Sequence, residues 1–147
     1  MYTYETKVVW KGEKEGVVSA RVNPELRVAT PPEFGGPTDA WSPLELLVAS
    51  IGSCYMSTFL TLAGKRNISV RTFEVEAKGN VDSTPEGLRF QSVDVAINAT
   101  ADDEIMVKKA LATRETIHKL CPVAGGVNFP VRLEMSVTVA ESARRAG

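Results

Sequence analysis

The stretch SPLELLVASIGSC, residues 42–54, has the sequence of a helix start that leads into an almost uncharged helix. Its first serine can cap the helix, the proline suits the first helical position, and Glu45 closes a capping box. Apolar residues then recur at helical spacing, and the pattern ends near Gly64. Because so few charges precede Lys65, we expect a helix that is buried on nearly all sides. Its small residues would allow another helix to approach closely.

Strands and one further helix are predicted on both sides of this stretch. A capping signal at residues 100–103 begins a second helix, which ends at Cys121 because Pro122 disfavours helical geometry there. The resulting order, β-β-(β)-α-β-β-α-β, contains short hairpins, including a connection over residues 82–87, and predicts an α+β fold with mainly antiparallel sheets. Alternating β-forming residues place the strands at 2–10, 17–22, 25–29, 70–78, 88–98 and 130–140, and the tail, 141–147, is expected to be frayed.

The composition limits the domain count and the classes of partner. At 147 residues the chain is expected to form one domain, residues 1–147. The 17 basic and 18 acidic residues nearly cancel, so nucleic acid and anionic membranes are not predicted as partners. The N-terminus does not resemble a signal peptide, and no apolar run is expected to span a membrane. A cytoplasmic location with reduced thiols is therefore predicted.

Two cysteines, Cys54 and Cys121, are the main candidates for chemistry, and each is expected on a helix. If the two helices pack together, the thiols could meet the Cα separation of roughly 4.4–6.8 Å that a disulfide requires. The alternative is that both are small buried hydrophobic residues. His118 precedes Cys121 by three residues and could hydrogen-bond that thiol, act as a base or simply be partly exposed. No metal site is predicted, because CxxC and HxxxH spacings are missing, and no cofactor is predicted.

Two segments resemble the motifs of one known family. Residues 42–54 are similar to the first-helix motif of the OsmC/Ohr family, the osmotically inducible and organic hydroperoxide resistance proteins. The sequence LCPV at residues 120–123 resembles the family's second cysteine motif. The order of elements, including the loop TPPEFGG at residues 30–36, is similar as well. The resemblance spans nearly the whole chain.

The resemblance implies a fold, an assembly and a chemistry. It implies an intertwined homodimer in which antiparallel sheets wrap long central helices, and a thiol-dependent peroxidase that reduces organic hydroperoxides. In that chemistry Cys54 attacks the peroxide and becomes a sulfenic acid, Cys121 resolves it as a disulfide, and a dithiol reductant restores both thiols. Apolar residues near Cys54, with Tyr55 and Phe59 among them, favour an alkyl or fatty-acyl hydroperoxide as the small-molecule substrate.

The sequence departs from the family's peroxidases at two positions. Those proteins carry an arginine in the first hairpin, held by a glutamate at the start of the first helix; here the matching positions are near Glu13 and at Leu44. Glu45 is one step later and is a candidate catalytic residue, although on a straight helix it lies about 13 Å along the axis from Cys54 and on the opposite face. The departures leave open a non-catalytic small-molecule or redox-sensing binding protein. Possible replacement cations are Lys14, Arg21 and Arg27.

Overall fold

The computed structural model describes residues 1–141, which form a first unit over residues 1–47 and a second unit from residue 48 onward. Most of the predicted tail lies outside the described residues. The order of elements is that of a mixed α+β fold, as predicted, with one helix more than expected. The elements are β1 (Lys7–Gly12), β2 (Glu15–Ser19), β3 (Leu26–Ala29), α1 (Pro43–Arg66), β4 (Thr72–Thr84), β5 (Gly87–Ala101), α2 (Glu104–Leu111), α3 (Arg114–Leu120) and β6 (Val131–Val139).

The first unit contains an antiparallel sheet in the order β1-β2-β3. The turn between β1 and β2 uses left-handed backbone at Gly12 and Glu13, with φ of 116° and 47°. After the proline-rich loop, the predicted capping box forms at the start of α1. The Glu45 N–H donates to Ser42 Oγ at 3.1 Å, and the Ser42 N–H donates to Glu45 Oε1 at 3.1 Å.

Helix α1 ends two residues later than the sequence pattern suggests. Gly64 lies inside the helix, which continues to Arg66. The left-handed residue that follows is Asn67, with φ of 53°, and the Ile68 N–H donates to the carbonyl of Ala63 at 2.9 Å. Asparagine tolerates this conformation better than other side chains, so it takes the place that the sequence analysis assigned to glycine.

The second unit contains a sheet in the order β4-β5-β6. Strands β4 and β5 pair antiparallel and are joined by only Pro85 and Glu86, which is shorter than the predicted connection. Strands β5 and β6 pair parallel. The chain between them contains α2 and α3, and such a crossover is what parallel neighbours require. The prediction of mainly antiparallel sheets is confirmed, with this one exception.

The predicted single second helix is two helices, so that prediction is wrong. The interruption lies at Thr113, which is fully buried. Its N–H donates to the carbonyl of Ala110 at 3.0 Å, and its hydroxyl donates to the same carbonyl at 2.6 Å. A threonine side chain that bonds a nearby carbonyl in this way competes with the helical pattern. Helix α3 ends at Leu120, which leaves Cys121 just beyond the helix.

One face of α1 packs on the sheet of the second unit. A Cβ atom at Gly79 of β4 would lie 2.6 Å from Val48 Cγ2 and 2.8 Å from Phe90 Cε1, so only glycine allows this close approach. Gly52 on the helix faces β4, so at this residue the close neighbour is a strand and not the expected helix. The core comprises Ile51, Tyr55, Phe59 and Ala63 of α1, Val93, Val95, Ile97, Ala99 and Ala101 of β5, Val107 and Ala110 of α2, Ile117 of α3, Leu133 and Val137 of β6, with Ile68 and Cys121.

The opposite face of α1 is exposed in the described chain, contrary to the prediction that the helix is buried nearly all round. Met56 and Leu60 are 39% and 52% exposed. The helix is long and apolar enough, by length and composition, to cross a membrane, with a mean hydropathy of 1.6 over 18 residues. No apolar run of this length was expected from the sequence. One face of α1 is packed against the sheet, as in the core helix of a globular protein. The opposite face is not covered by any other part of the described residues.

Candidate functional site

The fold brings the two cysteines together in the second unit. Cys54 is half-buried on α1, and Cys121 is buried, with 1% of its surface exposed. Cys121 caps α3, where its N–H donates to the carbonyl of Ile117 at 3.1 Å. Cys54 lies close enough to raise the pKa of the Cys121 thiol. Both cysteines are free thiols in this structure. The two thiols are therefore neighbours, and the Cα separation that a disulfide requires stays a prediction.

The electrostatics of Cys121 favour its neutral form. Burial, and after it the neighbouring Cys54 thiol, together raise the pKa of the Cys121 thiol to about 11. Backbone hydrogen bonds at Ala124 and Val123 oppose this shift without cancelling it. A thiol with such a pKa is a poor spontaneous nucleophile at neutral pH, because the thiolate is the reactive species.

Tyr55 and His118 form a second pair next to the cysteines. Tyr55 Oη lies 2.7 Å from His118 Nδ1, and the two rings are stacked with 6.0 Å between their centroids and 9° between their planes. Tyr55 is fully buried. Burial raises the pKa of Tyr55 to about 12, and Cys121 and Cys54 add to the rise. The sequence analysis considered His118 as a partner of Cys121; the structure gives it Tyr55 instead.

A cavity of about 300 Å³ opens beside Cys54. Tyr55 and Phe59 do not line it, because both lie fully buried in the core. The expectation of an apolar mouth formed by these aromatic rings is therefore wrong. The lining combines hydroxyls, apolar groups and one ammonium group: Cys54, Ser57, Thr58, Thr61, Leu62, Lys65, Leu120 and Pro122.

The residues from α1 reach this cavity because they share one side of the helix. Thr58 follows Cys54 by one turn, and Lys65 follows it by three turns, so both lie on the same stripe. Thr58 Oγ1 lies 4.0 Å from Cys54 Sγ. The spacing of these polar residues was visible in the sequence. It was missed because the apolar periodicity of the opposite face dominated the pattern.

The other candidate residues lie in the first unit. Glu45 closes the capping box, as its position in the sequence predicts, and its catalytic role stays a prediction. Lys14 donates through Nζ to the carbonyl of Phe34 at 2.8 Å. Arg27 forms ion pairs with Glu15 at 2.7 Å and Asp39 at 3.0 Å, and the guanidinium lowers the pKa of both carboxyl groups. The charges of Lys14 and Arg27 thus have structural partners.

The family model described as "OsmC-like protein" matches residues 36–136. The chain belongs to the OsmC-like family. Among curated proteins, the uncharacterized protein YmaD of Bacillus subtilis is 21% identical over 140 residues, which cover 90% of this chain and 91% of YmaD. The matched residues of this chain, 36–136, include both cysteines, Tyr55 and His118.

Solved OsmC-like structures share the fold. An OsmC-like protein of unknown function from Vibrio cholerae has a TM-score of 0.81 at 18% identity and covers 92% of this chain and 100% of its own. An organic hydroperoxide resistance protein OsmC from Legionella pneumophila has a TM-score of 0.73 at 26% identity, covering 95% and 98%. The organic hydroperoxide resistance protein OhrB of Bacillus subtilis has a TM-score of 0.66 at 20% identity, covering 92% and 98%. The fold predicted from the sequence resemblance is confirmed.

Proposed function

We propose that this OsmC-like protein is a thiol-dependent peroxidase that reduces organic hydroperoxides through Cys54 and Cys121. The single observation that carries the proposal is the pairing of the two thiols, one half-buried beside a cavity and the other buried behind it. The names of several structural neighbours, which include organic hydroperoxide resistance proteins, support the same class of substrate. The cavity offers hydroxyl groups for a peroxide and apolar contacts from Leu62, Leu120 and Pro122 for its organic part.

The reaction proceeds in three balanced steps. The Cys54 thiol attacks the terminal oxygen of the hydroperoxide, the O–O bond breaks, and the products are a Cys54 sulfenic acid and an alcohol. The Cys121 sulfur then attacks the sulfenic sulfur, which forms the disulfide and releases water. A dithiol reductant finally exchanges with the disulfide, restores both thiols and leaves as its own disulfide. The chemistry needs neither a metal nor a cofactor.

The different environments of the two thiols support this division of roles. Cys54 borders the cavity, so a small molecule in it can reach this sulfur. Cys121 is buried, and its raised pKa keeps it protonated, which protects it from direct oxidation. The neighbouring sulfur of Cys54, once oxidised, is the group that Cys121 is proposed to attack.

We also propose that the protein acts as a homodimer in the cytoplasm. The exposed apolar face of α1, which includes Met56 and Leu60, is the kind of surface that a second copy covers. Analytical ultracentrifugation tests this assembly: a dimer is expected, and replacing both residues with lysine should yield monomers. A wild-type monomer at micromolar concentration would contradict the proposal.

The peroxidase proposal is tested by mixing the reduced protein with cumene hydroperoxide and counting free thiols over time. We expect the loss of two thiols per chain in the wild type, no loss in Cys54→Ser, and loss of one thiol without a disulfide in Cys121→Ser. Equal initial rates for wild type and Cys54→Ser would overturn the assignment of Cys54.

The alternative is a redox-sensing or binding protein of the same fold without turnover. The high pKa of Cys121 favours it, because a protonated thiol slows the exchange that each catalytic cycle requires. Repeated consumption of hydroperoxide in the presence of a dithiol reductant separates the two functions. A peroxidase consumes many equivalents per chain, whereas a sensor stops after one.

A further inference from the structure

We propose that the hydrogen bond between Tyr55 and His118 positions Cys121 for attack on oxidised Cys54 and so controls disulfide formation. The inference rests on the proposed thiol chemistry and adds two positioning residues to it. It assigns them to the second step, the formation of the disulfide, and not to the reaction with peroxide.

The pair connects the two helices that carry the cysteines. Tyr55 directly follows Cys54 on α1, and His118 lies one turn before Cys121 on α3. Tyr55 Oη and His118 Nδ1 are 2.7 Å apart although 63 positions separate them in the chain. Each end of this hydrogen bond is thus tied through a few backbone bonds to one of the two reacting sulfurs.

The hydrogen bond can form with either neutral tautomer of His118. With a pKa of about 12 the Tyr55 hydroxyl keeps its proton at neutral pH, so it donates to an unprotonated Nδ1 and accepts from a protonated one. Tyr55 is fully buried, so a phenol that lost this partner would lack one in the core. The bond therefore resists breaking and fixes the position of His118 relative to α1.

Helix α3 is short, so few contacts hold it in place, and the hydrogen bond to Tyr55 adds one. It contains seven residues, and Ile117 is its one fully buried side chain. A disulfide tolerates only a narrow range of geometries, so a small displacement of the end of α3 would move the Cys121 sulfur out of reach. The Tyr55–His118 bond lies one turn before that end.

The step in question is the condensation of Cys54 sulfenic acid with the Cys121 thiol. The sulfur–sulfur bond forms, the bond between Cys54 sulfur and its hydroxyl oxygen breaks, and the thiol proton leaves with that oxygen as water. If the pair positions Cys121, its loss slows this step and leaves the preceding attack on peroxide unchanged. Sulfenic acid then accumulates.

The test measures both steps separately in single-turnover experiments with cumene hydroperoxide. The disappearance of the Cys54 thiol reports the first step, and trapping of sulfenic acid with dimedone, together with disulfide detection by mass spectrometry, reports the second. For His118→Ala and Tyr55→Phe we expect the first rate to stay within about twofold and disulfide formation to slow about fivefold to tenfold, the effect of losing one hydrogen bond. Equal slowing of both steps would overturn the proposal.

The variant His118→Asn separates positioning from simple structural support. The side-chain oxygen of asparagine can accept the phenol proton near the place of Nδ1, so disulfide formation should recover to near the wild-type rate. Lys119→Ala, on the same helix and exposed, is the matched control and should behave as wild type. Disulfide formation as slow in His118→Asn as in His118→Ala would contradict the proposal. If Tyr55→Phe does not fold, the two His118 variants decide the question.

A second arm of the experiment does not depend on peroxidase activity. Cys54 attacks oxidised glutathione, which forms a mixed disulfide at Cys54 and releases one glutathione thiol; Cys121 then displaces the second glutathione as its thiol and forms the protein disulfide. Release of this second glutathione should be slowed in His118→Ala by the same factor as before. If the wild type ignores hydroperoxide yet this arm shows the slowing, the peroxidase function fails while the positioning role stands. Wild-type rates of disulfide formation in all variants would overturn the positioning role and leave the peroxidase proposal standing.

Discussion

Cys54 and Cys121 have the same chemical group in opposite surroundings. Cys54 lies in the middle of a helix of 24 residues and borders a cavity, whereas Cys121 lies at the end of a helix of seven and is buried in the core. The long helix places the first thiol beside the cavity. The second thiol is buried, and its pKa is raised to about 11. Access and protonation, rather than sequence context, distinguish the two thiols.

The largest expected effect is a difference in alkylation. In the reduced folded protein at pH 8, iodoacetamide should modify Cys121 about 100-fold more slowly than Cys54. Burial blocks access, and with a pKa of about 11 only about one Cys121 thiol in a thousand is ionised at this pH. Peptide mass spectrometry over a time course measures both rates. In guanidinium chloride the two rates should converge, and a difference that persists there would show that folding is not its cause.

A smaller effect concerns stability at high pH. The folded protein keeps the Cys121 proton until about pH 11, whereas the unfolded chain loses it near pH 9, so between these values the unfolded state binds fewer protons. The free energy of unfolding of the reduced protein should therefore fall as pH rises through this window, by about 1–3 kcal/mol from this thiol. Urea titrations at several pH values measure it.

Cys121→Ser is the matched variant for that measurement. It lacks the titrating thiol but retains the other groups that ionise in the same range, so its free energy of unfolding should fall less steeply. Parallel curves for wild type and Cys121→Ser would contradict the buried, protonated state of Cys121.

The smallest expected effect concerns Lys65, which lines the cavity of Cys54 but not the surroundings of Cys121. Its positive charge should favour the anionic reagent iodoacetate over neutral iodoacetamide at Cys54. Because Lys65 is exposed and about 16 Å along the helix axis from Cys54, salt and distance weaken the attraction, and Lys65→Gln should lower the ratio of the two rates only about twofold. An unchanged ratio would show that the ammonium group does not act on this cavity. Thr61→Val is a neutral control in the same cavity.

Much of the fold could be predicted from local patterns. The capping box at Glu45 formed as expected because it depends on residues within one turn. The strands were found where β-forming residues alternate. The broken second helix was missed because the interruption at Thr113 involves no glycine or proline, only a hydroxyl that bonds the carbonyl of Ala110. The exposed face of α1 was missed because a pattern of apolar residues does not distinguish a face that is covered by the same chain from one that is not.

The candidate site was predicted only in its outline. The sequence identified Cys54 and Cys121, and the resemblance to a family gave them their roles. For His118 it left open a hydrogen bond to Cys121, a role as a base or simple partial exposure; in the structure His118 is partly exposed and lies 2.7 Å from Tyr55 Oη. It also placed Tyr55 and Phe59 around the substrate, although both point into the core. Which side of a nearly uncharged helix faces the sheet could not be read from its composition.

By itself the sequence determined which segments form strands and the first helix, which residues carry sulfur, and which family the chain resembles, since all of these depend on neighbours along the chain. Only the tertiary structure decided that the two thiols meet, that one borders a cavity while the other is buried, and that Tyr55 holds His118. The physical reason is that burial and hydrogen bonding between residues 63 positions apart depend on how α1 and α3 pack, and packing is a property of the whole core.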